Sequence, residues 1–90
     1  MALQGALDFE RVPRLWPELA RQIEAHSDLV VSLAEVERAD SAALALLLEG
    51  LDLARRKGHR LRYQAIPEAL LQLARMSHVD LLLQGDSIDR

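Results

Sequence analysis

Asp40 and Ser41 are the residues of this chain whose types and position could do chemistry. They stand between an acidic stretch, Glu35-Val-Glu-Arg-Ala, and an Ala/Leu-rich run that begins at Ala42. Ala and Leu are strong helix formers, and Asp or Ser in front of them reads as an N-cap. A helix start presents free N–H groups and about half a positive charge, so it accepts an added anion. A hydroxyl there could carry a phosphate or meet a polar group of a partner. The plainer alternative is that Asp40 or Ser41 does no more than cap the helix.

The rest of the chemical inventory is thin. His26, His59 and His78 fall between different elements without HxxxH or HxH spacing, so they read as solvated helix-end or loop residues rather than metal ligands. No glycine-rich phosphate loop follows a strand, so nucleotide hydrolysis by this chain has no support. The acidic residues are scattered, and none is paired so as to become a proton donor. There is no cysteine, hence no disulfide and no thiolate-bound metal. No base stands near Ser41 in the sequence to activate it as a nucleophile. The chain therefore reads as a non-enzyme that needs neither cofactor nor metal.

Composition excludes other classes. Ninety residues, 50% of them hydrophobic, make one small domain over 1–90. A net charge of -3 gives no general attraction to nucleic acid or anionic lipid. Phe9, Trp16 and Tyr63 are the only aromatic residues and offer no platform for stacking bases. The longest apolar run, Ala42 to Leu48, is far short of the ~20 residues that cross a bilayer, so direct membrane insertion is not expected. The N-terminus lacks the basic-then-apolar pattern of a signal peptide, which fits a cytoplasmic protein.

The elements that must position Asp40-Ser41 follow from periodicity. A helix from Ser41 to Lys57 ends in Arg55-Arg-Lys and the C-capping Gly58. On it, Leu44, Leu47, Leu51 and Ala54 share a core side, opposite Ala45, Glu49, Asp52 and Arg56. Leu46 and Leu53, seven residues apart, fit neither side. With Ala42 they form a second apolar strip, flanked by Ala45 and Glu49, that is expected to be a docking surface; the plainer alternative is that another element covers it in the monomer.

Leu29 to Leu33 reads as a central strand buried on both faces, joined to the helix by an irregular approach over 34–40. Arg60 to Ile66 alternates with period two, a strand with one wet face. Strand, helix, strand in this span is a parallel βαβ unit. Before it come a short strand within Met1–Phe9, broken at Gly5, and a helix near 13–25 whose start lies between Pro13 and Pro17, with Leu15, Leu19 and Ile23 on one face and Trp16 and Ala20 alongside. After it come a helix near 67–76, the unassigned Leu81-Leu-Leu, and a frayed tail over 83–90. The expected fold is α/β: a small mixed β-sheet with a parallel βαβ unit and about three helices packed on it.

Residues 29 to 83 resemble a STAS domain. The resemblance rests on the strand Leu29-Val-Val-Ser-Leu, the signature Val36-Glu-Arg-Ala-Asp-Ser-Ala-Ala-Leu-Ala-Leu-Leu, the helix end Leu53-Ala-Arg-Arg-Lys-Gly, and Ala74-Arg before Val79-Asp. Leu15-Trp16, Leu44-Ala-Leu-Leu-Leu and an end soon after the last helix are similar to the branch that serves phospholipid ABC transporters as a small cytoplasmic subunit. The resemblance implies a STAS-like fold and a partner, the transporter ATPase, with its permease in the full complex at the inner membrane. It implies a contact at Ser41, so that Asp40, Ser41 and the strip Ala42, Ala45, Leu46, Glu49 and Leu53 read from the helix together make the expected partner-binding site. In other STAS domains, the anti-sigma-factor antagonists, the residue matching Ser41 is phosphorylated by a serine kinase; that is the alternative reading. Two departures stand out. Ala43 replaces the family's usual glycine, and residues 1 to 9 leave no room for the further N-terminal strand of most STAS domains.

Overall fold

A computed structural model describes residues 1–84. The elements run β1 (Ala2–Leu7), α1 (Val12–Ala25), β2 (Asp28–Ala39), α2 (Ser41–Lys57), β3 (Arg60–Gln64), α3 (Glu68–Met76) and α4 (Asp80–Gln84). The strands form one sheet in the order β1-β2-β3, and both pairings are parallel. The α/β class and the β2-α2-β3 unit are as expected, but among the described residues the sheet is all parallel rather than mixed. The reason is the connections: each pair of neighbouring strands is joined through a helix, which returns the chain in the same direction.

Alternate strand residues feed one core. Leu3 and Leu7 of β1, Leu29, Val31 and Leu33 of β2, and Leu61 and Tyr63 of β3 are buried. Their neighbours Gln4, Arg60, Arg62 and Gln64 are exposed, and Val30 and Ser32 are half-buried. The helices thus cover a single face, on which α1 and α2 also touch each other. This corrects the reading of β2 as buried on both sides: an apolar five-residue run can carry Val30 on a partly open face.

The irregular approach expected over 34–40 is also corrected. β2 continues to Ala39, with Glu35, Val36, Arg38 and Ala39 paired to β1 through two register shifts. Its charged residues gave no local strand signal, because the partner that holds them extended lies about thirty residues away in the chain.

α1 begins at Val12, so Pro13 lies in its first turn and Pro17 inside it. Pro17 removes the amide that the Pro13 carbonyl would otherwise receive. Both prolines are exposed, which puts that carbonyl on the wet side of the helix. Leu19 and Ile23 are buried as their spacing predicts. α2 ends as expected: Gly58 takes the left-handed φ of 72°, and the His59 amide returns to the Ala54 carbonyl at 2.8 Å. Leu81-Leu-Leu lies in α4, and Leu83 is 1% exposed in the core, so position 83 is no part of a frayed tail. The remainder of that expected tail lies outside the described residues.

α2 packs closely on the sheet at Gly50. Tyr63 reaches across from β3 and donates its hydroxyl proton to the Leu47 carbonyl at 2.8 Å. Burial pushes the Tyr63 pKa well up, so the phenol stays a donor. A Cβ at Gly50 would lie 2.5 Å from that oxygen. Ala is the better helix former by about 1 kcal/mol, but overpacking costs ~1–3 kcal/mol and the displaced hydrogen bond ~1 more. Gly50→Ala is therefore expected to lower the melting temperature. Adding Tyr63→Phe removes the obstructing oxygen, so the same glycine substitution should then cost less; a thermal double-mutant cycle measures the difference. Equal costs in both backgrounds would mean that Tyr63 is not what excludes a side chain at position 50.

Candidate docking site at the start of α2

The strand ends bring two aspartates together. The Asp40 amide donates to the Leu7 carbonyl at 3.2 Å, which ties the end of β2 to the end of β1 and places Asp40 beside the Asp8 segment. Asp40 caps α2: its Oδ1 accepts from the Ala42 amide at 2.8 Å. Asp8 closes the turn that leads into α1, its Oδ1 accepting the amides of Glu10 at 3.1 Å and Arg11 at 3.0 Å. Its Oδ2 pairs with Arg38 Nη2 at 3.1 Å. The Arg11 amide, helped by Arg38 and the Glu10 amide and opposed by desolvation, holds the Asp8 carboxyl below its usual pKa. The sequence offered no signal for Asp8 at this site, because the strand pairing that brings it here is long-range.

Ser41 is exposed, and its hydroxyl has no hydrogen-bond partner among the described residues. Capping therefore explains Asp40 and leaves Ser41 unexplained. Ala45 and Glu49 follow at i+4 and i+8, and both are exposed. Residues so spaced line one side of a helix, so Ser41, Ala45 and Glu49 form a row along α2.

Beside this row runs a groove of about 220 Å³ between α1 and α2, lined by Val12, Trp16, Ala45, Leu46 and Glu49. Trp16 and Val12 are half-buried and pack against the core from α1. Sequence reasoning read Trp16 as part of a helical face and missed both residues as walls of a site. The available signal was a lone tryptophan beside, rather than on, the Leu15-Leu19-Ile23 stripe.

Three expected docking residues are placed elsewhere. Leu46 is 2% exposed, Leu53 7% and Ala42 9%, so the second apolar strip is part of the monomer's core. The physical reason is the number of neighbours: α2 touches α1, α3, α4, β2 and β3, and a helix so enclosed buries a wider arc than the usual stripe. Leu46 forms the floor of the groove, where Val12 and Trp16 shelter it. Leu51, expected on the core side, is only half-buried.

The histidines do not join this site. His26 Nδ1 lies 3.0 Å from the Gln22 carbonyl oxygen, His59 Nδ1 lies 2.9 Å from that of Ile23, and His78 is exposed. Among the described residues no group of three His, Cys, Asp or Glu side chains is arranged to hold a metal. No described helix is long and apolar enough to cross a membrane. The arrangement is thus an apolar slot with one free hydroxyl and one carboxylate along its rim, suited to receiving another protein's side chains.

Comparison with known proteins shows the family. Residues 1–84 match the family model described as MlaB, STAS domain. Two curated proteins, each called intermembrane phospholipid transport system binding protein MlaB, come from Escherichia coli strain K12 and Shigella flexneri. Each is 32% identical to this chain over 76 residues, which cover 84% of the chain and 76% of the relative.

Proposed function

This chain belongs to the MlaB STAS-domain family, and from that membership we propose that it is a non-catalytic subunit of a phospholipid transport system. Its partner is the ATPase of the transporter, which it binds on the cytoplasmic side of the inner membrane and whose assembly or activity it supports. The permease is met only through the full complex. The observation that carries this reading is the row Ser41, Ala45, Glu49 beside the Val12–Trp16 groove. Asp40 belongs to the same site as the residue that fixes the start of the row. Leu46 contributes as the groove's floor, while Leu53 and Ala42 act through the core rather than by contact.

The size of the groove supports the mode of binding. About 220 Å³ accommodates a single large apolar side chain, and a half-buried tryptophan at its wall is the residue type that most often dominates an interface. Glu49 at the rim suits a basic residue on the partner.

The test is an affinity measurement against the ATPase of the transporter. Ser41→Ala removes no cap, so its melting curve should match wild type within the ~0.5 kcal/mol usual for surface changes. Its affinity should fall several-fold, as expected for a lost interfacial hydrogen bond of about 1 kcal/mol. Trp16→Ala should cost ~2 kcal/mol or more of binding, a loss of roughly thirtyfold. Wild-type affinity in both folded variants would reject this face as the docking site. An exposed hydroxyl is also what a serine kinase needs. Phosphorylation of Ser41 by a kinase, together with tight binding to an anti-sigma factor and none to the ATPase, would favour the antagonist reading instead.

A further inference from the structure

The sheet has two outer strands, and they are protected differently. β3, Arg60-Leu-Arg-Tyr-Gln, carries its own charges at alternate positions. β1, Ala-Leu-Gln-Gly-Ala-Leu, has no charged residue and no proline. An uncharged edge strand presents free amides and carbonyls that readily accept another strand, and natural proteins defend such edges with charge or proline. β1 has neither within itself.

The defence comes from the next element. The carbonyls of Met1 and Leu7 accept the amides of Ser32 at 2.8 Å and Asp40 at 3.2 Å, so these odd-numbered carbonyls face β2. The alternation of a strand sends the even-numbered carbonyls to the opposite, outer side. There Arg11 Nη1 donates to the Gln4 carbonyl at 2.9 Å and the Ala6 carbonyl at 3.0 Å. Gly5, between them, has a φ of 73°, and a Cβ there would lie 2.6 Å from Nη1. The backbone there favours glycine, and a side chain at this position would push the guanidinium aside.

We propose that Arg11 is a guard on the outer edge of β1, and that it prevents a second copy of this chain from pairing its own β1 there. The occupant excluded is a second copy because the strand is uncharged and identical in each molecule. A two-fold axis would set the two β1 strands antiparallel, joining the sheets of both copies edge to edge. Arg11 blocks this by occupying two of the carbonyls on which such a ladder depends, and by placing a cation where two copies would have to meet.

The test uses the full chain and two substitutions. Arg11→Ala removes the side chain. Arg11→Met keeps the aliphatic stem and removes only the donors, so it serves where Arg11→Ala fails to fold. Mass is measured by light scattering over a concentration series, and hydrogen exchange is followed at the amides of Gln4 and Ala6, which point to the same outer edge as their carbonyls. Wild type should remain a monomer with fast exchange at both amides. The variants should self-associate as concentration rises, with exchange at Gln4 and Ala6 slowed about tenfold or more in the associated form. Variants that stay monomeric over the same concentrations overturn the proposal. So does association that leaves those two amides exchanging as fast as in the monomer, since pairing would then lie elsewhere.

Discussion

Leu46→Asp is expected to melt roughly 20 °C below wild type, whereas Ala45→Asp, one residue earlier, is expected to melt with it. Leu46 is 2% exposed and belongs to the core; Ala45 is exposed on the same turn. An aspartate at position 46 must shed water without gaining a cation, and an uncompensated buried charge costs ~3–5 kcal/mol. In a domain of this size, each kcal/mol moves the midpoint by about 4–8 °C. Two features order the series further. Leu46 adjoins the groove, through which some water can reach a carboxylate, while Leu47 is 0% exposed and does not line that groove. The expected order of melting temperatures is therefore Ala45→Asp, then Leu46→Asp, then Leu47→Asp, read by circular dichroism on the three purified variants. A Leu46→Asp midpoint equal to that of wild type would return Leu46 to the surface strip that the helical wheel suggested.

That contrast shows what a linear sequence can carry. A helical wheel counts which residues share a side; it does not count how many elements surround the helix. For α2 the start, the end and the buried positions Leu44, Leu47 and Ala54 were legible, because capping residues and the 3.6-residue period are local. The burial of Leu46 and Leu53 was not, because it depends on α1, α3 and α4 closing around α2. The same distinction separates β3 from the second half of β2. Arg60 to Gln64 announces itself by alternation, while Glu35 to Ala39 is held extended only by pairing with β1. Leu81-Leu-Leu could not be assigned locally because three leucines fit a short helix and a short strand equally.

The site divides in the same way. Asp40-Ser41 was visible as a hydroxyl and a carboxylate before a strong helix. Only the structure separates their roles, since Asp40 holds the Ala42 amide and Ser41 holds nothing. Asp8, Val12 and Trp16 reach the site through the β1–β2 pairing and the packing of α1 on α2, neither of which has a local sequence signature.

The largest effect on binding is expected from Ser41→Asp, which should fold at least as well as wild type and lose about a hundredfold or more in affinity for the ATPase. Folding is protected by position. Residue 41 is exposed in the first turn of α2, where a carboxylate meets the positive end of the helix dipole and gains ~0.3–1 kcal/mol. Asp40 already supplies the cap, so the new carboxylate displaces no hydrogen bond. Binding has no such protection. The Asp40 carboxylate adjoins position 41 in the chain, and the guanidinium of nearby Arg38 is engaged by Asp8. A further negative charge enclosed by a partner would lose its water and find no free cation on this chain among the residues bonded at the site. A desolvated, unpaired interfacial charge commonly costs 2–5 kcal/mol, roughly thirty- to several-thousandfold in affinity. Measuring the melt and the ATPase affinity on one sample separates the two effects. A stable Ser41→Asp variant that binds as tightly as wild type would show that the start of α2 stays in water in the complex, and would remove Ser41 from the docking face.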